Sequence, residues 1–273
     1  MSKIKTIACK HPIILSAVVF FFASFLCVIT KEPSIAFLEQ YMDLRKATWL
    51  YFTVYQALGA VAMIPLIKGA GIYKTAGFSR VRDWKKLWLC WPSVVLAILA
   101  GWETLSGKMA FNTSEPIVFI LYFLLNLAVG FYEEMIGRSF VLNLMLQKWG
   151  NTKSGIYRAV FVSSIIFGVI HLTTVVMGKR DLIPGIGQVF YTFIFGVFFA
   201  ACFIRYQSIW PTIFLHAFFD LCGSSGGLTA RFGEVQQATV GHTIINVLYF
   251  TPILVCGLVL LRKVKPPVNA CKP

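Results

Sequence analysis

The sequence predicts an all-α, polytopic integral membrane protein of about eight transmembrane helices around an intramembrane polar cavity, and three observations predict it. First, the 273 residues are 58% apolar and 13% charged, with a mean hydropathy of +0.74, which excludes a water-soluble globule. The 25 Phe, 7 Trp and 10 Tyr carry too much apolar surface for a solvated disordered coil. Second, apolar runs of membrane-spanning character lie near 12–30, 47–67, 87–102, 117–146, 159–177, 183–204, 208–222 and 243–261. Third, the cations are divided unequally between the alternate connecting segments. Lys3, Lys5, Lys10, Lys68, Lys74, Arg80, Arg82, Lys85, Lys86, Lys148, Lys153, Arg158, Arg205, Arg262, Lys263, Lys265 and Lys272 fall on the side that holds both termini, 17 in all. The opposite side has 7: Lys31, Arg45, Lys46, Lys108, Lys179, Arg180 and Arg231. Positive loops stay inside, so both ends are expected in the cytoplasm, and the formal charge of +14 is explained without nucleic acid.

The elements follow in order. The run at 12–30 exceeds a signal-peptide core, and Cys27 to Lys31 show no small-x-small cleavage pattern, so it reads as a retained span. Between Lys68 and Lys86 basic residues alternate with Phe78, Val81, Trp84 and Leu87. This segment is either a short amphipathic helix on the anionic inner leaflet or a solvated basic loop. Asn112-Thr113-Ser114 spells a glycosylation sequon, best read as chance. Cys9, Cys27, Cys90, Cys202, Cys222, Cys256 and Cys271 lie in or beside apolar runs without C-x-x-C spacing, as small core residues do. Phe193, Phe195, Phe198 and Phe199 read as lipid-facing or packing surface, Phe167 as core, and His242 as an interface residue opening the last span. No repeat of fixed period occurs, and the only low-complexity patch is Gly223 to Gly227, so residues 1–273 read as one integral membrane domain.

Function is signalled by ionisable residues inside the spans. Glu133, Glu134 and Arg138 lie in the fourth, His171 in the fifth, and His216 and Asp220 in the seventh. A charge at the centre of a membrane helix costs roughly 2.5 to 3.5 kcal/mol on insertion scales, so such residues mark a functional site by default. Glu134 and Arg138 are four apart, acid before base, the favoured order for an ion pair on one helix face. Glu133 is turned about 100° away. The expectation is that the two acids do not share a partner: Glu134 clamps Arg138, and Glu133 faces the cavity. His216 and Asp220, also four apart, project together.

A carboxylate and an imidazole on either side of a water can deprotonate it for attack on a carbonyl, the chemistry of peptide hydrolysis. His216 could donate to the developing oxyanion. The same atoms offer a second chemistry, since His171, His216 and Glu133, with Asp220, could hold a divalent metal such as zinc that activates the water. Two histidines make a poorer zinc site than three.

Glu133-Glu134-Met135-Ile136-Gly137-Arg138, Phe167-Gly168-Val169-Ile170-His171 and His216-Ala217-Phe218-Phe219-Asp220 together spell E-E-x-x-x-R, F-x-x-x-H and H-x-x-x-D. In this order, across residues 133–220, the pattern resembles the CPBP family of intramembrane proteases. That family includes the type II CAAX prenyl endopeptidases and the bacterial Abi, or bacteriocin-immunity, proteins. The resemblance implies an eight-helix core with a cavity open to cytoplasm and membrane. It implies Glu133 and His171 as water activators, Glu134 and Arg138 as support, and His216 with Asp220 on the oxyanion side or at a metal. The third motif departs from the prenyl endopeptidases, which usually have Asn where this chain has Asp220. An ionised Asp220 would repel an oxyanion, so the expectation is that it orients His216 through a hydrogen bond. The leading reading is an endopeptidase of a bacterial plasma membrane that cuts a small hydrophobic or lipid-modified peptide near the inner leaflet. A non-catalytic bacteriocin-immunity or peptide-binding membrane protein is the alternative. A proton-coupled transporter is disfavoured by the missing inverted repeat.

Overall fold

The computed structural model describes residues 3–81, 90–229, 231–235, 237–266 and 268. Among them the regular elements are all helical: α1 (Lys3–Lys10), α2 (Pro12–Leu38), α3 (Leu44–Gly69), α4 (Trp91–Ala100), α5 (Trp102–Leu105), α6 (Pro116–Glu134), α7 (Asn143–Trp149), α8 (Lys153–Ile170), α9 (Thr173–Val176), α10 (Leu182–Tyr206), α11 (Trp210–Gly223), α12 (Val240–Tyr249) and α13 (Thr251–Arg262). Helix starts are set by local chemistry. The side chain of Asp43 accepts from Lys46 N at 3.1 Å, that of Thr152 from Gly155 N at 3.0 Å and that of Thr239 from His242 N at 3.2 Å. Each satisfies one of the amide donors that a helix leaves unpaired at its beginning. Proline occupies the first turn of α2, α4, α6, α11 and α13, where its missing N–H costs nothing.

Among the described residues six helical stretches are long and apolar enough to cross a membrane: Pro12–Leu38, Leu44–Gly69, Pro116–Trp149, Lys153–Val176, Leu182–Tyr206 and Val240–Arg262. The all-α, polytopic membrane fold therefore stands, while the count of eight is not reached by length. The segments expected to supply the third and seventh spans are α4, with 10 residues, and α11, with 14. A full crossing takes about 20. The start of the expected third span, together with Arg82, Asp83, Trp84, Lys85, Lys86, Leu87, Cys271 and Lys272, lies outside the described residues. Of the two readings of the Lys68 to Lys86 segment, the described half is a loop with Lys68, Lys74 and Arg80 exposed rather than an amphipathic helix, but most of its apolar residues are not solvated. A short 3₁₀ turn, Tyr73–Thr75, is followed by coil, and Ile72, Ala76 and Val81 are buried in the main core. The apolar residues of this stretch turn inward because the adjoining helices offer them protein contacts that a leaflet surface would not.

α10 is the hub. It is apolar all round, as a helix enclosed by others should be, and it packs on α8, α11, α12 and α13. Phe198 and Phe199 are buried rather than lipid-facing. Small residues bring the backbones together where side chains would hold them apart. A Cβ on Gly196 of α10 would lie 2.8 Å from the Ser164 side chain of α8, and one on Gly130 of α6 would lie 2.9 Å from Ala217 N of α11. The Gly130 crossing sets α6 and α11 against each other one turn from the residues of interest.

Between α6 and α7 the chain does not break but widens into a π-helical stretch, Met135–Leu142, all of it buried. Ser139 donates to Ala76 O at 2.6 Å and Asn143 to Thr75 O at 2.8 Å, tying the widened turn to the inward-folded 72–76 segment. Such π stretches occur frequently at functional sites.

The connecting segments gather at two ends. Lys148 Nζ donates to Lys10 O, Lys153 Nζ to the carbonyls of Leu261, Arg262 and Val264, Ile209 N to Gly77 O, and Ser79 to Gln207 O. At the other end Arg45 bonds Asn112 at 2.7 Å, Lys46 pairs with Glu115 at 2.6 Å, and Arg231 lies 3.6 Å from Glu103.

Replacing Gly130 by Val should push α6 from the Ala217 backbone, which cannot yield as a flexible side chain would. A loss of about 1–3 kcal/mol, the range for overpacked cores, is expected in denaturant unfolding of the detergent-solubilised protein. Gly107→Ala, with open space around its Cβ but a positive φ of 74°, should cost less.

Candidate active site

Three helices deliver the polar groups. α6 ends on Glu133 and Glu134, with Arg138 one turn on in the π-helical stretch; α8 is capped by His171; α11 carries His216 and Asp220 at its middle and last turn. Glu133, His171, His216 and Asp220 meet in one recess. Glu133 Oε2 lies 3.7 Å from His171 Nε2 and 3.6 Å from His216 Nε2, and Asp220 Oδ2 lies 3.6 Å from His216 Nε2. These separations exceed a direct hydrogen bond, and an oxygen atom can touch two such groups from one side.

Beneath the recess lies a buried ion network. Arg138 Nη1 stands 2.9 Å from Glu134 Oε1, and His216 Nδ1 lies 2.8 Å from that same oxygen. Both acids therefore flank one imidazole, Glu134 at Nδ1 and Glu133 at Nε2. The expectation that they would not share a partner fails, because an imidazole presents two nitrogens on opposite edges and fits between acids that diverge around a helix. Glu134 also does what was expected of Asp220: it holds the orientation of His216, whereas Asp220 stands beyond hydrogen-bonding distance on the Nε2 side. Glu134 Oε2 and Arg138 Nη2 are buried with no hydrogen-bond partner among the described residues, and Arg138 Nη1 has the ion pair with Glu134 Oε1.

Aromatic faces complete the network. The Arg138 guanidinium lies 4.5 Å from the Phe167 ring centroid and 5.2 Å from that of Phe199, within the range of cation–π attraction. Phe199 in turn stacks on His216, with centroids 5.4 Å apart and planes 20° apart. Phe167 is thus more than core filling, and Phe199 is a site residue that sequence reading missed. A run of phenylalanines gives no sign of which one faces a buried cation.

His171 is fixed from three directions. Its Nδ1 is 2.8 Å from Phe167 O; a carbonyl only accepts, so Nδ1 carries a proton, and Nε2 is turned toward Glu133. Its own carbonyl accepts from Thr174 Oγ1 at 2.7 Å, and that hydroxyl lies 2.9 Å from Gln188 Oε1 of α10. Phe167 meets the His171 ring edge-on at 5.0 Å. Thr174 and Gln188 carry no motif and could not have been singled out in advance.

The metal alternative does not fit this donor set. Zinc ligands converge on one centre about 2.0–2.2 Å from each. Among the described residues no three His, Cys, Asp or Glu side chains form a group able to hold a metal ion.

Residues 115–222 match the family model described as Rce1-like: Type II CAAX prenyl endopeptidase Rce1-like. The matched segment is similar to that family over 108 of the 273 residues. It runs from the residue before α6 through α11 and holds every polar residue of the recess, and it supports the CPBP and CAAX-protease resemblance of the three motifs. No curated protein and no solved structure matches the chain.

Removing Arg138 would leave the buried Glu134 carboxylate without its cation. Arg138→Met should therefore destabilise the solubilised protein by about 3–5 kcal/mol, as broken buried ion pairs do. The double variant Arg138→Met/Glu134→Gln should recover part of that loss. Additive losses in unfolding titrations would count against the network.

Proposed function

We propose that the chain is an intramembrane endopeptidase that hydrolyses a peptide bond in a small hydrophobic or lipid-modified peptide, using water activated by Glu133 and His171. One observation carries the reading: the Glu133 carboxylate stands 3.6–3.7 Å from Nε2 of two imidazoles, in a recess between membrane helices. A water held by Glu133 Oε2 and the His171 Nε2 lone pair gives up its proton as it attacks the scissile carbonyl. His216 takes the opposite role. In its imidazolium form, with Nδ1–H on Glu134, it directs Nε2–H at the carbonyl oxygen where negative charge develops. The proton taken up by Glu133 then passes to the leaving amine. Arg138 and Glu134 act through His216 by holding its ring, and Asp220 lines the same side of Nε2. No step in this scheme requires a metal.

Residues 1–273 are read as one membrane-embedded domain that places the peptide in the bilayer, in a bacterial plasma membrane. The end rich in Lys and Arg, with both termini, faces the cytoplasm.

Three outcomes follow. Purified protein should cleave farnesylated or strongly apolar test peptides, and Glu133→Ala and His171→Ala should each lower kcat/KM by about 10²–10⁴, the usual contribution of general acid–base catalysis. Equal turnover in all three proteins would sink the reading and favour an immunity or peptide-binding role, in which toxin protection survives Glu133→Ala. Asp220→Asn, which installs the residue usual in the prenyl endopeptidases, should retain cleavage. Dialysis against a chelator should leave the rate unchanged; loss restored by zinc would return the metal reading.

A further inference from the structure

We infer that the polar cavity between the first turns of α10 and α12 is a binding site for the phosphate group of an anionic phospholipid. It shares no lining residue with the recess that holds Glu133, His171, His216 and Asp220. The inference is independent of whether that recess hydrolyses.

The cavity has a volume of about 250 Å³ and is lined by Arg180, Tyr191, Gln237, His242, Thr243 and Asn246 among others. It is held between packed helices, since a Cβ on Gly187 of α10 would collide with Thr243 Cγ2 of α12. Gln237, His242 and Asn246 are exposed, while Arg180 and Tyr191 are half-buried. Among the described residues none of the six side chains has a hydrogen bond or an ion pair with the rest of the protein, and the Thr243 hydroxyl is buried in that condition. Buried polar groups are normally satisfied. Six unspent side chains around one cavity point to a partner from outside the chain.

The wall selects an anion. Among the described residues it bears no Asp or Glu, and Arg180 is its permanent charge. Asp181, next in sequence, makes no ion pair with that guanidinium. Both helices begin here, α10 at Leu182 and α12 at Val240, and a helix start carries partial positive charge. The paired N–H groups of a guanidinium match two oxygens of a phosphate, and hydroxyl, amide and imidazole donors serve the others.

The surroundings make that phosphate a lipid's. The cavity is smaller than the roughly 300–1,000 Å³ of pockets that enclose drug-sized ligands, so it takes one small group and leaves the rest of the molecule outside. On the same turns of the two helices Ile183, Ile186, Ile244 and Ile245 are exposed, and both helices belong to stretches long and apolar enough to cross a membrane. Acyl chains therefore run beside the site. Basic pockets between membrane helices hold anionic head groups in this way. A choline ammonium would meet no carboxylate on the wall, which favours phosphatidylglycerol over phosphatidylcholine.

The test titrates the detergent-purified full chain with phosphatidylglycerol, phosphatidylcholine or inorganic phosphate, and reads bound lipid by native mass spectrometry and the rise in Tm. The parent should bind phosphatidylglycerol at least about tenfold more tightly than phosphatidylcholine. Arg180→Gln should weaken phosphatidylglycerol binding by about tenfold or more, the scale of one lost charge-assisted contact, and erase the preference. Arg231→Gln, which removes a cation facing Glu103 at the same end of the bundle, should change neither. If Arg180→Gln does not accumulate, Asn246→Leu, which keeps the charge and removes the amide, should weaken phosphatidylglycerol binding while Arg231→Gln again does not. Equal phosphatidylglycerol affinity in the parent and the cavity variant overturns the inference, and so does equal affinity of the parent for the two lipids. A rise in Tm with inorganic phosphate, lost in Arg180→Gln and unaccompanied by lipid preference, overturns the lipid assignment in favour of a free anion. The readout needs no turnover, so failure of the solubilised parent to cut a peptide would fall on the hydrolytic reading alone.

Discussion

The site depends on one oxygen. Glu134 Oε1 is shared between the Arg138 guanidinium and the His216 imidazole, and both partners are enclosed by protein. Charges buried so deeply are tolerated only when paired, since the desolvation of each ion otherwise costs several kcal/mol. The pairing therefore fixes the surrounding helices as much as they fix it. α6 must end where it does, α11 must approach within backbone contact at Gly130, and Phe167 and Phe199 must close over the cation. Glu133, one residue earlier, is carried by the same helix end into the wetter space above.

The widening of the helix after Glu134 makes this arrangement possible. An α-helix closes each turn on the fourth residue; a π stretch closes on the fifth and lets one more residue into the ring. Along Met135–Leu142 this turns Arg138 under the imidazole while Ser139 and Asn143 reach the 72–76 segment. The widened element and the ion network stand at the same place.

Much of this was legible in the residue order. Composition and run lengths announced a helical membrane protein, and the cost of Glu133, Glu134, Arg138, His171, His216 and Asp220 in apolar runs marked them together. What was not legible depends on shape. The helical wheel separates Glu133 from Glu134 by a fixed angle but says nothing of a ring from another helix that fits between them. Asp220 follows His216 by one turn, which suggested a bond; the better acceptor came from α6, far away in sequence. Phe199 and Gln188 owe their roles to which side of α10 meets α8 and α11. The expected spans at α4 and α11 were read from apolarity, and apolarity does not distinguish a crossing from a short helix packed beside longer ones.

That shortness bears on the lipid itself. Fourteen residues make α11 about 21 Å long, against a hydrocarbon core of about 30 Å, and Phe214 and Phe218 still turn exposed rings outward along it. Acyl chains beside this flank have too little apolar wall to match and must compress or tilt around it. Hydrophobic mismatch of that kind costs fractions of a kcal/mol per ångström, so the protein's surroundings are set by membrane thickness, with shorter-chain lipids the easier neighbours.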